Sequence, residues 1–378
     1  MEKKKIFGLG VILIVIVIFI IFLFSSENEQ SKNNNEILLG AILHLTNNDY
    51  SHVGVAMQEG IELAINEINV KGGINGQLVH VIYEDSQNNN LKALNAAQKL
   101  IEIDQVQVVF VSTYGEAMAI GSYFEEKKIP LVVLWDANED IQNLGEYVFS
   151  TGVWTKASGT RIADFAYQDL GVKRVGVIYH STEWSESVTN YFKEEFIKLG
   201  GEITIEEKVL PETVDFKTHL LKVQERDPDA IFAPIDRNLD IFFKQIKSSG
   251  FQKYVLSSDA VTQMVIDNAK GGAEGIYYTT IAVPQNEYTT NFVDKYKSLY
   301  KKEPQELIYV GFGYDGAKVI LNSLTQGAKN PQEVKKYLYQ VQSVEGSFSL
   351  LTMNSKGSIP KLESVFTVHN GEETFVKE

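Results

Sequence analysis

The chain has no cysteine, although it is 378 residues long. Without thiols it can have no disulfide framework, no Cys-ligated zinc or iron–sulfur cluster and no cysteine nucleophile. Basic residues are also in the minority, since 35 Lys and Arg stand against 49 Asp and Glu, a formal net charge of −14. A protein that binds a phosphate backbone needs a basic surface, so the composition argues against nucleic acid as a partner.

The usual motifs of enzymes and metal sites are absent as well. The six histidines are scattered without a His-x-x-x-His pair, and no Gly-x-Ser-x-Gly elbow occurs. The segment Gly311-Phe-Gly-Tyr-Asp-Gly316 matches the dinucleotide-binding pattern, but no convincing strand precedes it and no acidic residue follows at the required distance. We interpret these glycines as a place of close helix packing. We therefore expect a protein that is not an enzyme and has neither a cofactor nor a metal site.

The N-terminus contains one long apolar run, Ile6–Phe24, without a charged or polar side chain. Its 19 residues are just enough to span a bilayer, and Lys3, Lys4 and Lys5 before it favour an N-terminus inside the cytoplasm. The run is longer than a typical signal-peptide core and ends without a small-x-small exit, which favours an uncleaved anchor. Residues 25–35 are polar throughout and are predicted to form a flexible linker.

From Glu36 onward, apolar runs typical of buried strands alternate with helical periodicity. Ile37–Leu43 is such a run, and apolar residues from Met57 to Ile68 then recur at helical spacing. This alternation predicts an α/β protein with parallel sheets covered by helices on both faces. Because the chain after the apolar run is too long for one core, two doubly wound lobes are expected. Further strands are predicted at Val106–Val111, Leu131–Leu134, Arg174–Tyr179, Glu202–Val209, Ala230–Ala233 and Lys253–Leu256.

Polar and aromatic residues follow several of these strands directly. Doubly wound sheets bind ligands outside the carboxyl ends of their strands, so these residues are candidates for a binding site. Each also has a structural alternative, because the hydroxyl and carboxylate side chains could cap helices and the tryptophans could pack in a core. Three aspartates converging at such a place would favour a ligand with a positive group. The candidates are Thr113, Tyr114, Gly115, Trp135, Asp136, Trp184, Asp236 and Asp259.

The stretch Glu67-Ile-Asn-Val-Lys-Gly-Gly-Ile-Asn-Gly76 resembles the N-terminal part of type I periplasmic binding proteins, leucine/isoleucine/valine-binding-protein-like. That family has similar short motifs at three further positions of this chain: Gly40-Ala-Ile, Lys173-Arg-Val-Gly-Val-Ile-Tyr and Tyr314-Asp-Gly-Ala. The resemblance implies two lobes joined by a three-strand hinge, a ligand in the cleft between them, and closure on binding. It also implies an extracytoplasmic protein that serves an ABC transporter permease.

The resemblance assigns roles to individual positions. Thr113, Tyr114 and the Gly115 amide lie where the family binds an α-carboxylate, and Asp259 lies where an acidic residue holds an α-ammonium group. Trp184 matches an aromatic residue of the second lobe, and Tyr314 a tyrosine of the cleft. The sequence departs from the family at Trp135-Asp136-Ala137, where a small residue and a threonine are usual.

These observations predict an extracytoplasmic, membrane-anchored solute-binding protein. It is expected to be a monomer that captures a small polar ligand, such as an amino acid or an amide, and delivers it to a transporter. The alternative is a sensor that works with a separate membrane signalling partner. We place lobe I at residues 36–151 plus 279–345, and lobe II at residues 152–278 plus 346–378.

Overall fold

The computed structural model describes residues 36–46 and 50–377. The predicted anchor, Ile6–Phe24, and the linker at residues 25–35 lie outside the described residues. Among the residues that the structure does describe, no helix combines the length and the apolar composition needed to cross a membrane.

Strands and helices alternate along most of the described chain. The strands are β1 Glu36–Leu43, β2 Leu78–Asp85, β3 Val109–Val111, β4 Leu131–Val133, β5 Asp136–Ala137, β6 Val148–Ser150, β7 Val153–Trp154, β8 Arg174–His180, β9 Glu202–Val209, β10 Ala230–Phe232, β11 Tyr254–Leu256, β12 Tyr277–Thr280, β13 Val344–Glu345, β14 Leu350–Leu351, β15 Ser364–His369 and β16 Glu372–Lys377. The α-helices are α1 Ser51–Asn69, α2 Asn90–Gln98, α3 Tyr114–Lys127, α4 Glu139–Gln142, α5 Thr155–Asp164, α6 Glu183–Lys198, α7 Lys217–Gln224, α8 Leu239–Ser248, α9 Gln263–Asn268, α10 Glu287–Tyr300, α11 Leu307–Thr325 and α12 Pro331–Leu338. Helices α2 and α5 each continue into a π-helical segment, at Lys99–Ile103 and Phe165–Asp169.

Two separate sheets form the cores of two lobes. In lobe I the strand order is β2-β1-β3-β4-β6, with every pair parallel. In lobe II the order is β16-β15-β12-β11-β10-β8-β9, and the strands from β12 to β9 are parallel. Strands β3, β4 and β10 are buried over their whole length, as expected for parallel strands covered on both faces. The predicted α/β class with parallel-sheet lobes is confirmed.

Lobe II departs from a purely parallel sheet at its C-terminal edge. Strand β15 pairs antiparallel with β12, and β16 pairs antiparallel with β15. These two strands form a hairpin from Ser364 to Lys377 that extends the main sheet. Asn370 and Gly371 at its turn both have positive φ, which suits a tight two-residue hairpin.

Many helices begin at a side chain that accepts a backbone hydrogen bond. Such N-caps satisfy amide groups that have no partner within the helix, which fixes where each helix starts. The capping residues with this bond are Asn89, Asn138, Thr182, Thr262, Asn286 and Asn330.

Helices α1 and α11 of lobe I pack with their backbones in contact. A Cβ atom on Gly60 would lie 1.9 Å from the carbonyl oxygen of Val310, and one on Gly313 would lie 2.0 Å from that of Met57. Gly311 lies on the same helix, against the ring of Phe348. The interpretation of the Gly311–Gly316 segment as a place of close helix packing is therefore confirmed.

The chain passes three times between the lobes, after β6, after β12 and before β15. The first and third passages run side by side, with bridges from Ser150 to Ser358 and from Val153 to Lys361. The lobe boundaries, including the one placed at residue 345/346, stay a prediction. Just beyond that position, Phe348 packs on Phe292 of α10.

Candidate ligand-binding site

A cavity of about 330 Å³ lies between the two lobes. All its walls come from segments that follow parallel strands: β1, β2, β3 and β4 in lobe I, and β8, β10 and β11 in lobe II. Because parallel strands of one sheet end at the same edge, these loops from distant parts of the chain converge there. The lining residues are His44, Tyr50, Asn88, Asn89, Asn90, Leu91, Thr113, Tyr114, Gly115, Trp135, Asp136, Thr182, Glu183, Trp184, Asp236, Arg237 and Ala260.

The structure brings most of the predicted site residues together. Seven of the nine line the cavity, and an eighth, Asp259, lies next to the lining residue Ala260. Their role in binding a ligand stays a prediction. The seven are Thr113, Tyr114, Gly115, Trp135, Asp136, Trp184 and Asp236.

The ligand-binding role carried over to Tyr314 stays a prediction, and the structure places this residue outside the cavity lining. It is buried in α11 against Phe292, with a ring-centroid distance of 5.0 Å, and its hydroxyl donates to Glu67 Oε1 at 2.8 Å. The physical reason is the close contact between α1 and α11, because it directs this face of α11 toward α1 and away from the cleft.

The N-terminus of α3 is occupied by protein carboxylates. The Tyr114 amide donates to Asp136 Oδ2 at 2.8 Å, although Thr113 before it makes no capping bond through its side chain. Glu183 of lobe II reaches the same place, since a Cβ atom on Gly115 would lie 3.3 Å from Glu183 Oε2. The Tyr114 amide is therefore already bonded within the protein, because strand β5 places Asp136 directly against it.

Three buried carboxyl groups lie close together where the lobes meet. Asp136, Asp259 and Glu363 are 3, 4 and 1% exposed, respectively. Burial raises the pKa of Asp259 to about 6. Burial, together with the charge of Asp259, holds the pKa values of Asp136 and Glu363 well above their ordinary range.

These carboxyl groups are only partly satisfied by hydrogen bonds. Thr155 Oγ1 donates to Asp136 Oδ1 at 3.3 Å, and the Ser158 hydroxyl donates to Glu363. Asp259 Oδ1 and Glu363 Oε1 are buried without a hydrogen-bond partner. A buried carboxylate in this condition is costly, so a cation in the adjoining cavity would stabilise the charged form.

Aromatic rings form the apolar part of the cavity wall. The Trp135 ring has neighbours at centroid distances of 6.0 Å (His44), 6.0 Å (Tyr50) and 4.9 Å (Tyr309). Trp184 packs against buried apolar residues of lobe I and of lobe II, and so spans the cleft. Such rings offer both apolar area and a negative face to a ligand.

His44 was not singled out in the sequence, although it directly follows β1 and lines the cavity. Its Nδ1 atom lies 2.8 Å from Ser112 Oγ, and the Ser112 hydroxyl donates to Glu116 Oε2 at 2.8 Å. Burial lowers the pKa of His44 to about 4, so its ring is neutral at pH 7. The signal available in the sequence was its position directly after the apolar strand β1.

Hydrogen bonds from both sides hold the lobes together around the cavity. Tyr50 Oη donates to the Ala260 carbonyl at 3.0 Å, and Arg237 Nη2 donates to the Asn88 carbonyl at 3.1 Å. Asn90 Nδ2 donates to Glu183 Oε1 at 3.4 Å. The two lobes are therefore in contact on both sides of the cavity, in a closed arrangement.

A two-lobed α/β protein with its cavity at the facing strand ends belongs to the class of cleft-closing binding proteins. The family model described as periplasmic binding protein matches residues 36–360. The chain belongs to this family, and within it to the type I binding proteins that are similar to the leucine/isoleucine/valine-binding protein. It is a binding protein and not an enzyme. The family is extracytoplasmic.

Individual relatives agree with this assignment. The Leu/Ile/Val-binding protein homolog 7 of Brucella abortus is 26% identical over 300 residues, covering 72% of this chain and 73% of that protein. The leucine-binding protein LivK of Thermotoga maritima superposes with a TM-score of 0.83 at 26% identity, over 90% of this chain and 97% of that one. A solute-binding protein of R. palustris in complex with benzoate shares the fold, with a TM-score of 0.79 at 18% identity, over 90% of this chain and 96% of that one.

Proposed function

We propose that this protein captures a small polar solute in the interlobe cavity, outside the cytoplasm, and delivers it to an ABC transporter permease. The observation that carries the proposal is the cavity itself, which is lined by both lobes and bridged by hydrogen bonds between them. A solute that contacts both lobes binds the closed state better than the open state, and this difference shifts the population toward closure. The closed form is then what the permease recognises.

The relatives support a solute-binding role and differ in ligand. LivK of Thermotoga maritima is a leucine-binding protein, whereas the R. palustris protein was solved with benzoate. We propose an amino acid or an amino-acid-like or amide compound as the general class. We further propose that Ile6–Phe24 keeps the mature protein attached to the membrane as a monomer.

Mass spectrometry of ligand retained by the full-length protein, purified in detergent from its native cells, tests the solute-binding role. Recovery of a defined small molecule at about one copy per chain is expected, and an empty cavity after gentle purification would contradict it.

The partner is tested in the same preparation. Co-purification with a transporter permease is expected, whereas co-purification with a histidine kinase would favour the sensor alternative.

Removing the aromatic wall from lobe II is expected to weaken binding of the retained ligand. Trp184→Ala should raise the Kd by about 10- to 100-fold, because a tryptophan packed in a binding site contributes a large share of the binding energy. Isothermal titration calorimetry measures this change. Phe375→Ala, at a half-exposed position on the C-terminal hairpin, is the control and should leave the Kd unchanged. Unchanged affinity in both Trp184→Ala and Asp259→Ala would place the ligand elsewhere.

A further inference from the structure

The N-terminus of α3 would ordinarily suit an anion, because free amides and the helix dipole favour negative charge there. In this protein the Tyr114 amide already donates to Asp136 Oδ2 at 2.8 Å. The Glu183 carboxylate lies close to Gly115 at the same helix end. A ligand carboxylate at this place would have to displace one protein carboxylate and tolerate another nearby.

The carboxyl groups around the cavity also favour a cation over an anion. Asp136, Glu183 and Asp236 line it, and the buried carboxyl groups of Asp259 and Glu363 lie beside Asp136. A cleft lined by one sign of charge, with walls of low dielectric constant, concentrates ligands of the opposite sign. The unpartnered Asp259 Oδ1 atom adds a buried acceptor that a cation would satisfy.

Arg237 is the single cationic side chain among the lining residues that the structure describes. Its Nη2 atom is engaged with the Asn88 carbonyl at 3.1 Å, where it joins the lobes. His44 supplies no second positive charge, because burial lowers its pKa to about 4. A zwitterionic ligand would therefore find one cationic lining side chain, Arg237, for its carboxylate.

The walls beside the carboxyl groups suit an organic cation. Trp135 lies in the lining next to Asp136, and Trp184 and Tyr114 complete an aromatic surface around the same space. An ammonium group gains from the faces of such rings as well as from a carboxylate, and the hydrocarbon part of the ligand gains from the apolar area. A hydrated metal ion would not use these rings. Within residues 36–46 and 50–377, no group of three or more His, Asp or Glu residues is arranged to hold a metal ion.

We propose that the cavity takes an organic amine without a carboxylate group, with its cationic end at Asp136 and its hydrocarbon part against Trp135 and Trp184. This inference rests on the proposed solute-binding function and narrows its ligand class. The amine supplies the positive charge that the buried carboxyl groups of Asp136 and Asp259 lack, whereas an amino acid brings a carboxylate that would compete with Asp136 for the Tyr114 amide.

Matched pairs of ligands test the inference on the full-length protein in detergent. Each amino acid is compared by calorimetry with the amine that remains when its carboxyl group is removed: leucine with isopentylamine, phenylalanine with phenethylamine, and arginine with agmatine. Benzoate serves as a carboxylate without an amine. We expect at least one amine to bind at least about tenfold more tightly than its amino acid, and benzoate not to bind. A panel in which no amine exceeds its matched amino acid overturns the inference.

A charge-removing variant locates the cation. Asp136→Asn keeps an oxygen that can accept from the Tyr114 amide, so the helix start is preserved while the negative charge is lost. We expect the Kd of the best amine to rise by about 10- to 100-fold, in line with loss of a charge-assisted hydrogen bond. Asp140→Asn is the matched control, because exposed Asp140 accepts from the Tyr114 hydroxyl at 3.1 Å and does not line the cavity. An equal effect of both variants, or none at Asp136, contradicts the proposed placement.

The outcomes separate this inference from the proposed function. If leucine, phenylalanine, arginine or benzoate is the tighter ligand, the inference fails and the solute-binding function stands. If no compound of the panel binds, the inference also fails, and the mass-spectrometric search for retained ligand decides the proposed function by itself.

Discussion

Gly313→Val is expected to lower the free energy of unfolding of lobe I by about 3 kcal/mol, the upper end of the range of about 1 to 3 kcal/mol that overpacking a core typically costs. The first added carbon would lie 2.0 Å from the Met57 carbonyl oxygen, and this neighbour is backbone of α1 that no side-chain rotation can move. The two helices would have to separate, and the buried contacts along both would loosen. Gly60→Val meets the Val310 carbonyl from the opposite helix and should act similarly.

The midpoint of urea unfolding, followed by circular dichroism, measures this loss. Val55→Ala is the control, because Val55 lies on the same helix α1 and is 41% exposed. It should change the free energy of unfolding by no more than about 0.5 kcal/mol. A Gly313→Val protein as stable as the control would show that the helices are not in backbone contact.

In the ligand-free protein, the stability that Asp259 contributes is expected to fall as the pH rises from about 4 to about 7, while His44, whose pKa burial lowers to about 4, contributes in the opposite direction. The pKa of Asp259 is raised from 3.8 to about 6 in the folded state, so between these pH values the folded protein binds more protons than the unfolded chain. The stability from this group is fully present below pH 3.8 and is lost as the pH rises through 6. With about 1.4 kcal/mol per pKa unit, the loss from this group is on the order of 3 kcal/mol.

The groups around Asp259 act in the same direction. Asp136 and Glu363 face it and have pKa values raised by burial and by its charge, and Tyr309 Oη donates to its backbone carbonyl at 3.4 Å. Glu306, whose pKa burial raises to about 7, adds to the same slope from α11's N-terminus. The dependence of stability on pH in the wild type alone therefore does not isolate the contribution of Asp259, and a variant at this position is needed.

Thermal or urea unfolding at a series of pH values from 4 to 7.5 measures the slope, in parallel for the wild type and Asp259→Asn. The variant cannot ionise at this position, so the stability of the wild type should decline relative to that of the variant as the pH rises over this range. Identical slopes in the two proteins would mean that Asp259 does not titrate with a raised pKa.

Much of the fold was predictable because it depends on local patterns. The apolar run of Ile37–Leu43 and the helical spacing of Met57 to Ile68 each describe one element, and their repetition limits the fold to parallel sheets covered by helices. The rule that ligands bind at strand ends also follows from this alternation. It located Thr113, Trp135 and Trp184 in the cavity lining without knowledge of any contact.

The sequence by itself therefore determined the class of fold, the family and the loops that form the cavity. Only the tertiary structure decided which groups are left for a ligand. Asp136 and the Tyr114 amide are 22 residues apart, and Glu183 reaches the same helix end from the other lobe. Likewise, the Tyr314 hydroxyl donates to Glu67, which is 247 positions away in the sequence. The two residues meet because helices α1 and α11 pack closely at their glycines. The periodicity of apolar residues predicts which face of one helix or strand is buried. Whether a charged side chain has a partner depends on residues that are distant in the sequence and become neighbours only in the folded chain.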